Sequence, residues 1–318
     1  MKNKDIRIVF MGTPVFAVPI LEFLIKEYNV VLVVSQPDRE KNRKKELLPT
    51  PIKKVAIDNN IDVFQPIKIK ESINDILNYE PDIIITCAYG QIVPVEILDF
   101  PKYGCINVHG SLLPKLRGGA PIHHSIINGD KETGMTIMYM DKAMDSGDII
   151  SQRKIEILDT DILDTLYEKM SYLGRDLLKD TLPSILNGTN DRIKQNIDEV
   201  TFGYNITKEE EKIDFNKSAD EINNLIRGLN SVPGAYSILD NKRLKIYSIE
   251  ILNNKSNLTP GTIKVMDNDN FIVSTKDFDI SIKDLKLEGK KRCQVKEFLN
   301  GINNKKEYIG KVLKWKKK

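Results

Sequence analysis

Residues 6–36 have the sequence IRIVFMGTPVFAVPILEFLIKEYNVVLVVSQ. Two strand-like runs, IRIVFMG and VVLVVSQ, enclose a helical segment from Val15 to Glu27, and prolines crowd its start, where their fixed φ is tolerated. The same alternation continues to residue 110 through DVF, DIIITCAY and CINVHG. It predicts a parallel or mixed Rossmann-like sheet with helices on both faces. The turn after the first strand, GTP at 12–14, lacks the GxGxxG spacing, which disfavours a dinucleotide-binding domain.

The segments that follow complete this α/β domain. We expect a helix from Pro121 to Asn128, then two strands, TGMTIMYM and DIISQRKIEI, on either side of an acidic loop. A long amphipathic helix is predicted from about Asp161 to Leu186, because leucine, methionine and isoleucine recur there at helical spacing. We therefore place the first domain at residues 1–188. The polar, weakly periodic residues 189–207 then predict a linker.

The remaining chain, residues 208–318, has a different pattern. Residues 209–230 are predicted to form a helix, and several short alternating strands separated by turn residues follow it: AYSIL, KRLKIYSIEI, TIKVM, FIVST and FDISIKDLKL. This pattern is typical of a small OB-like β-barrel. Such barrels often bind nucleic acid or sugar, although a purely structural β-domain remains an alternative.

The composition is that of a folded protein. The chain has 318 residues, of which 41% are hydrophobic and 29% are charged. No apolar run approaches the ~20 residues that cross a bilayer, and the start, MKNKDIRIVFMG, has no signal-peptide core, so we expect a cytoplasmic protein with no membrane segment. Cys87, Cys105 and Cys293 form no CxxC pair, which argues against a disulfide framework or a zinc ribbon. No long apolar surface stripe demands a partner, so a monomer is expected.

Charge is distributed unevenly along the chain. Residues 1–203 carry a net −4 and residues 204–318 a net +7. The chain ends in KVLKWKKK, where lysines surround the single tryptophan, Trp315. This composition suits a polyanionic partner, although a solvated lysine tail is the simpler interpretation.

Candidate catalytic side chains lie at the end of the strand CINVHG. Residues two apart on a strand point to the same face, so Asn107 and His109 project together. They lie at the carboxyl end of the strand, where open α/β sheets bind their ligands. An amide and an imidazole in this arrangement could stabilise one developing oxyanion, although a polar strand end is the alternative.

An acidic loop from Asp141 to Asp148 supplies a possible partner for His109. A carboxylate beside the ring would orient it and favour its cationic form. Metal binding is the rival interpretation of this loop, but its spacing is not that of an EF-hand, and the adjacent His123 and His124 do not share a helix face. We expect no metal.

The sequence NVHGSLLPKLRGGAPI at 107–122, followed by DSGDI at 145–149, resembles the signature of the 10-formyltetrahydrofolate-dependent formyltransferases. MGTP, QPDR, AYGQIVP, ETGMTIM and PGTI stand in the corresponding places, so the resemblance covers essentially the whole chain. It implies three catalytic residues: Asn107, His109 and Asp145. It also implies a folate-binding wall that comprises Ser111, Leu112, Leu113 and Pro114 with Tyr89 and Gly90.

The layout is similar to that of the family members whose acceptor is initiator methionyl-tRNA. The segment from Gln36 to Lys54 has seven basic residues and three acidic ones, a net +4 in an otherwise acidic domain. Phosphate is the expected partner of such a segment. The resemblance implies tRNA contacts by Arg39, Arg43, Lys44 and Lys45. In the family the arginine matched by Arg43 usually lies between glycines, whereas here its neighbours are Asn42 and Lys44.

Other functions remain open at this point. Within the family, the acceptor could be an amino sugar nucleotide, glycinamide ribonucleotide or another small amine. A hydrolase that deformylates the folate would use the same three residues, with water in place of the amine. A non-catalytic RNA-binding relative is disfavoured, because Asn107, His109 and Asp145 are all present.

Overall fold

Strands and helices alternate through the first half of the chain. The structure is a computed structural model, which describes residues 3–41 and 46–314. Its strands up to residue 160 are β1 (Arg7–Gly12), β2 (Asn29–Val34), β3 (Arg39–Lys41), β4 (Glu46–Leu48), β5 (Val63–Phe64), β6 (Ile83–Cys87), β7 (Cys105–His109), β8 (Glu132–Tyr139) and β9 (Ile149–Glu156). The helices are α1 (Val18–Glu27), α2 (Pro51–Asp58), α3 (Ile73–Leu77), α4 (Val95–Leu98), α5 (Pro121–Ile127) and α6 (Leu163–Asn187).

These strands form one mixed sheet in the order β5-β2-β1-β6-β7-β8-β9. The pairs from β5 to β7 are parallel, and β8 and β9 return antiparallel. Ile106 and Val108 of β7 are fully buried, at 0% and 2% exposure. Side chains alternate across a strand, so Asn107 and His109 occupy the other face. The predicted Rossmann-like sheet is confirmed.

The described chain divides into two units. The N-terminal unit contains this sheet and ends at Tyr204, whereas Ile122–Lys131 and Ile157–Leu166 group with the C-terminal unit, which continues from Asn205. Residues 189–204, part of the predicted linker, group with the N-terminal unit; we call them the strap. The domain limits given above remain predictions. No helix in the part of the chain that the structure describes is long and apolar enough to span a membrane.

The C-terminal unit is a curled antiparallel sheet with helices. Its elements are α7 (Ala219–Gly228), β10 (Tyr236–Leu239), β11 (Lys242–Lys255), β12 (Ile263–Met266), β13 (Phe271–Val273), β14 (Phe278–Leu287), β15 (Cys293–Gln294) and α8 (Val295–Asn300). The sheet order is β10-β11-β14-β13-β12, and β15 pairs with β14. Buried Phe271, Leu244 and Ile282 belong to its core. This confirms the predicted fold class, an α/β domain followed by a small antiparallel barrel.

The segment 310–314 joins the two edges of the curled sheet. Lys314 exchanges two backbone hydrogen bonds with Ile238 of β10, at 2.7 and 3.1 Å. Beside β12, the Leu313 N–H donates to the carbonyl of Gly261 at 2.8 Å. The Leu313 side chain is 4% exposed and belongs to the core. The lysines there therefore accompany a strand-like segment that closes the barrel, while Trp315 and the last lysines lie outside the described residues.

The predicted helix over residues 209–230 is wrong in its first half. The helix begins only at Ala219, and the preceding residues form turns. Ser218 caps the helix: its hydroxyl accepts from the Glu221 N–H, and the Glu221 carboxylate accepts from the Ser218 N–H. Upstream, the Asp214 carboxylate accepts from the Asn216 N–H at 3.0 Å. This local side-chain bonding favours a turn over a helix.

Candidate active site

The amide of Asn107 is held by a neighbouring strand. Thr86 of β6 lies directly opposite Asn107 in the parallel register. Its hydroxyl, which is 3% exposed, donates to Asn107 Oδ1 at 2.9 Å. Because the amide oxygen is engaged there, Nδ2 points away from β6 and lies 3.4 Å from Asp145 Oδ1.

His109 lies between a carbonyl and a carboxylate. Its Nε2 is 3.1 Å from the carbonyl oxygen of Leu116, and its Nδ1 is 3.7 Å from Asp145 Oδ2. A carbonyl only accepts hydrogen bonds, so in the neutral ring the proton belongs on Nε2. Nδ1 then faces the carboxylate. The ring is 6% exposed, which leaves little freedom to turn.

Asp145 reaches both residues from the loop after β8. Its backbone has φ +51, a left-handed conformation that is uncommon for a residue with a side chain. The Gly118 N–H donates to Asp145 Oδ2 at 2.8 Å. The Gln195 side chain donates to the carbonyl oxygens of Asp145 and Gly147, both at 2.8 Å. The structure thus brings Asn107, His109 and Asp145 together and fixes the loop from the strap.

The predicted folate-binding turn is pinned from β8 and β9. Thr136 donates to the Ser111 carbonyl at 2.6 Å and accepts from the Leu113 N–H at 3.2 Å. Gln152 donates to the Leu113 carbonyl at 2.8 Å. The side chains of Ser111 and Leu113 are buried, at 1% and 3% exposure, and the Ser111 hydroxyl is engaged by the carbonyl of residue 115. Leu112 and Pro114, which are half-buried, are the members with accessible side chains.

Tyr89 and Gly90 follow β6 at the same edge of the sheet. The Tyr89 side chain is only 4% exposed and packs in the core with Val9 and Ile84, and burial raises the pKa of its hydroxyl to about 12. Its carbonyl accepts from the Thr13 hydroxyl at 3.1 Å. Tyr89 therefore faces this edge through its backbone. Gly90 has φ +91, a conformation that suits glycine.

The basic segment forms a hairpin, β3 paired with β4. Arg39 is exposed on β3, whereas Arg43, Lys44 and Lys45 lie outside the described residues. Lys53, which counted toward the basic charge, contacts the Asp38 carboxylate at 2.5 Å. Its charge is therefore already paired. Burial raises the pKa of Asp38, but the hydrogen bonds from Gln65 and Lys53 together outweigh it, so the pKa lies below its usual value.

Among the residues described, no group of three or more histidine, cysteine, aspartate or glutamate side chains is arranged to hold a metal. Sequence reasoning missed Thr86, Gly118 and Gln195. Their contacts with the catalytic candidates depend on which segments the fold brings together. Of the three, only Gly118 lies in the family signature NVHGSLLPKLRGGAPI at 107–122.

Comparison with known proteins identifies the family to which this chain belongs. A family model described as formyl transferase matches residues 6–182, and one described as formyl transferase, C-terminal domain, matches residues 205–303. The fold and both family matches are those of a formyltransferase. The chain is 48% identical to a methionyl-tRNA formyltransferase of Malacoplasma penetrans over 98% of both chains, and 46% identical to that of Staphylococcus aureus strain MW2 over 96% of this chain and 99% of the relative. It belongs to the methionyl-tRNA formyltransferase family.

Solved structures show the same fold. WlaRD, a sugar 3N-formyl transferase determined in the presence of dTDP and 5-N-formyl-THF, aligns with a TM-score of 0.65 at 24% identity, over 90% of this chain and 99% of that one. An N-formyltransferase from Helicobacter canadensis, in complex with folinic acid and dTDP-3-aminofucose, aligns with a TM-score of 0.65 at 25% identity, over 87% and 98%.

Proposed function

We propose that this protein transfers the formyl group of 10-formyltetrahydrofolate to the α-amino group of methionine carried by initiator tRNA. The observation that carries the proposal is the meeting of Asn107, His109 and Asp145 within hydrogen-bonding or ion-pairing distance, in a chain of this family. The curated relatives named above are methionyl-tRNA formyltransferases.

The acceptor amine needs little activation. A reference α-amino group has a pKa of about 7.7 to 8.0, so an unprotonated fraction is available near neutral pH. The harder requirement is to stabilise the negative oxygen that develops when the amine attacks the formyl carbon. Asn107 Nδ2, aimed by Thr86, is a suitable donor to that oxygen. His109 supplies a second donor when Nδ1 is protonated.

We assign to Asp145 the proton that the attacking amine must lose. Its carboxylate lies beside both Asn107 and His109 and is 15% exposed, so water has access to it. The carboxylate accepts the proton through a water and returns it to the nitrogen of the departing tetrahydrofolate as the oxyanion re-forms the carbonyl and the C–N bond breaks. Formyl-methionyl-tRNA, with its ester bond intact, and tetrahydrofolate are the products.

The edge of the sheet fits a folate. Val15 and Ile92, in the segments after β1 and β6, are 62% and 83% exposed, and we assign these apolar side chains to contacts with the folate ring system. Leu112 and Pro114 would contribute a further wall. The bound co-substrate supplies the activated formyl group. Folate derivatives are present in the related structures described above.

The acceptor is the finer part of the proposal. The two solved structures are sugar N-formyltransferases or contain an amino sugar nucleotide, which is the rival acceptor class. Identity favours tRNA, because the tRNA enzymes are 46–48% identical and those structures are 24–25% identical. The net +7 charge of residues 204–318 also suits a polyanion better than one diphosphate.

The test is formyl transfer from 10-formyltetrahydrofolate to initiator methionyl-tRNA, beside elongator methionyl-tRNA and an amino sugar nucleotide. We expect selective formylation of the initiator. Asn107→Ala and Asp145→Ala should each lower kcat by ~10² or more while tRNA binding is preserved. Asn59→Ala, at the end of α2, is the control. Exclusive transfer to the sugar nucleotide would refute the acceptor but not the chemistry.

A further inference from the structure

Gln195 of the strap bonds two parts of the candidate site at once. Its Nε2 donates to the carbonyl oxygens of Asp145 and Gly147, both at 2.8 Å. Its Oε1 accepts from Arg117 Nε at 3.0 Å and from Arg117 Nη2 at 2.8 Å. A glutamine amide offers two donors and two acceptor sites, so this amide is fully used.

The strap itself is anchored on both sides of Gln195. Ile193 exchanges two backbone hydrogen bonds with Ile149 of β9, at 2.8 and 2.9 Å. Further along, the Thr201 carbonyl accepts from the Arg117 N–H at 2.9 Å. Gln195 is therefore held against the sheet independently of the loop that it contacts.

We propose that Gln195 is a positioning residue for formyl transfer, which fixes Asp145 in its left-handed conformation. A non-glycine residue in that conformation persists only where its surroundings enforce it. Gly118 holds the carboxylate and Gln195 holds the backbone of the same residue. This inference rests on the proposed function, because the consequence lies in the proton transfer assigned to Asp145.

Gln195→Glu removes the hydrogen bonds to the loop at Asp145 and Gly147 and keeps those to Arg117. The carboxylate keeps its acceptors for Arg117 but presents oxygen to the carbonyls of Asp145 and Gly147. The strap stays attached while the loop is released. A displacement of about 1 Å at a reacting group costs about 10²-fold, so we expect kcat to fall about 10- to 100-fold with KM for both substrates within about 3-fold. Asn196→Ala, which loses a local cap, is the matched control.

Hydrogen exchange gives a second measurement that needs no turnover. The amides of 145–147 should exchange faster in Gln195→Glu than in the wild type, while those of β7 stay unchanged. Wild-type exchange and unchanged kcat in the variant would overturn the proposal. If the wild type itself does not formylate methionyl-tRNA, the proposed function fails, and the exchange result still reports on the loop.

A second, independent observation concerns two aromatic rings at the end of the strap. Phe202 and Tyr204 stack with a centroid separation of 5.1 Å and an interplanar angle of 6°. Although they are large apolar side chains, they are 47% and 57% exposed. Residues two apart on an extended segment share a face, which explains the stacking.

The backbone that carries this aromatic pair contacts the turn that holds Asp145. Gly203, between the two rings, accepts a hydrogen bond from the Ala120 N–H at 2.9 Å. Its carbonyl oxygen lies so close to Gly118 that an added Cβ there would be 2.7 Å from it. Gly118 is the residue whose N–H holds Asp145. The backbone between the two rings therefore lies next to the residue that holds the Asp145 carboxylate.

We infer that the pair stacks against the terminal nucleobase of the tRNA acceptor end. In the proposed substrate the methionine is esterified to the ribose of that nucleotide, so its base must lie near the reacting amine. Aromatic side chains bind bases by stacking without regard to their identity. The proposal commits to this one occupant and rests on the tRNA acceptor proposed above.

The test uses initiator methionyl-tRNA with 2-aminopurine as the terminal base, whose fluorescence is quenched by stacking. We expect quenching with the wild type and its loss in the double variant Phe202→Leu, Tyr204→Leu. KM for methionyl-tRNA should rise about 5- to 100-fold with kcat within about 2-fold. Tyr172→Leu, an exposed ring on α6, is the control. Unchanged quenching and KM in the double variant would overturn the inference, and an inactive wild type would instead overturn the proposed function.

Discussion

Replacing Thr86 with valine removes one hydroxyl and leaves the shape of the side chain nearly unchanged. The hydroxyl is buried at 3% exposure and lies 2.9 Å from Asn107 Oδ1. Without this hydroxyl, the Asn107 amide loses the donor that holds Oδ1 toward β6 and so directs Nδ2 away from it. A hydrogen bond of this kind contributes about 0.5–1.5 kcal/mol net. That energy changes the ratio of correctly oriented to misoriented Asn107 amide by roughly 2- to 13-fold. We therefore expect kcat to fall about 3- to 10-fold.

The assay is single-turnover formyl transfer to initiator methionyl-tRNA, performed as a double-mutant cycle with Asn107→Ala. If Thr86 acts through Asn107, Thr86→Val should have almost no effect once the amide is gone. Thr133→Val, a buried threonine on β8, controls for a change of core polarity. Equal effects of Thr86→Val in both backgrounds would refute the argument, as would a loss of rate matched by Thr133→Val.

Three further predictions concern the turn, the barrel and its helix cap. Gly118 has φ +126, and an added Cβ there would lie 2.7 Å from the Gly203 carbonyl oxygen. Gly118→Ala should therefore displace the N–H that holds Asp145 and lower kcat at least ~10-fold, as measured by steady-state kinetics. Leu313→Ala should lower the free energy of unfolding by ~2–5 kcal/mol, whereas exposed Val312→Ala should change it by less than ~0.5 kcal/mol, as measured by denaturant titration. Hydrogen bonds from the Ser218 N–H and then Lys217 lower the pKa of Glu221 to about 2. The carboxylate therefore stabilises the fold above its unfolded pKa of about 4.5, and this stabilisation is lost as the pH falls toward 2. Thermal melts of Glu221→Gln should accordingly depend less on pH than those of the wild type over that range.

The sheet and the strand that carries the site could be predicted from sequence. Period-two patterning around CINVHG places Asn107 and His109 on one face, and the structure agrees. That Asp145 meets them was implied by a resemblance and not by spacing. Its approach depends on a loop held by Gly118 and Gln195, and no local pattern encodes contacts between segments that distant in sequence.

One prediction was wrong, and another segment of the chain differs from what its composition suggests; both have identifiable physical causes. The helix predicted from residue 209 begins at Ala219, because Ser218 and Glu221 satisfy each other's backbone N–H groups and fix the start. The segment 310–314 has the composition of a solvated tail, yet Leu313 is buried and the backbone bonds both edges of the sheet. Backbone pairing is independent of side-chain polarity, so lysine-rich sequence conceals it.

The exposure of the strap also predicts how the protein loses activity on heating. Its residues are mostly exposed, with Ile193 at 56% and Ile197 at 81%, whereas most residues of β7 and β8 are buried. Segments of this kind open locally at lower free energy than a core strand. When the strap opens, Asp145 loses the bonds that hold its left-handed backbone and returns to an ordinary conformation. Thermal inactivation should therefore precede melting of the sheet, and a melting curve alone would overstate the temperature at which the protein works.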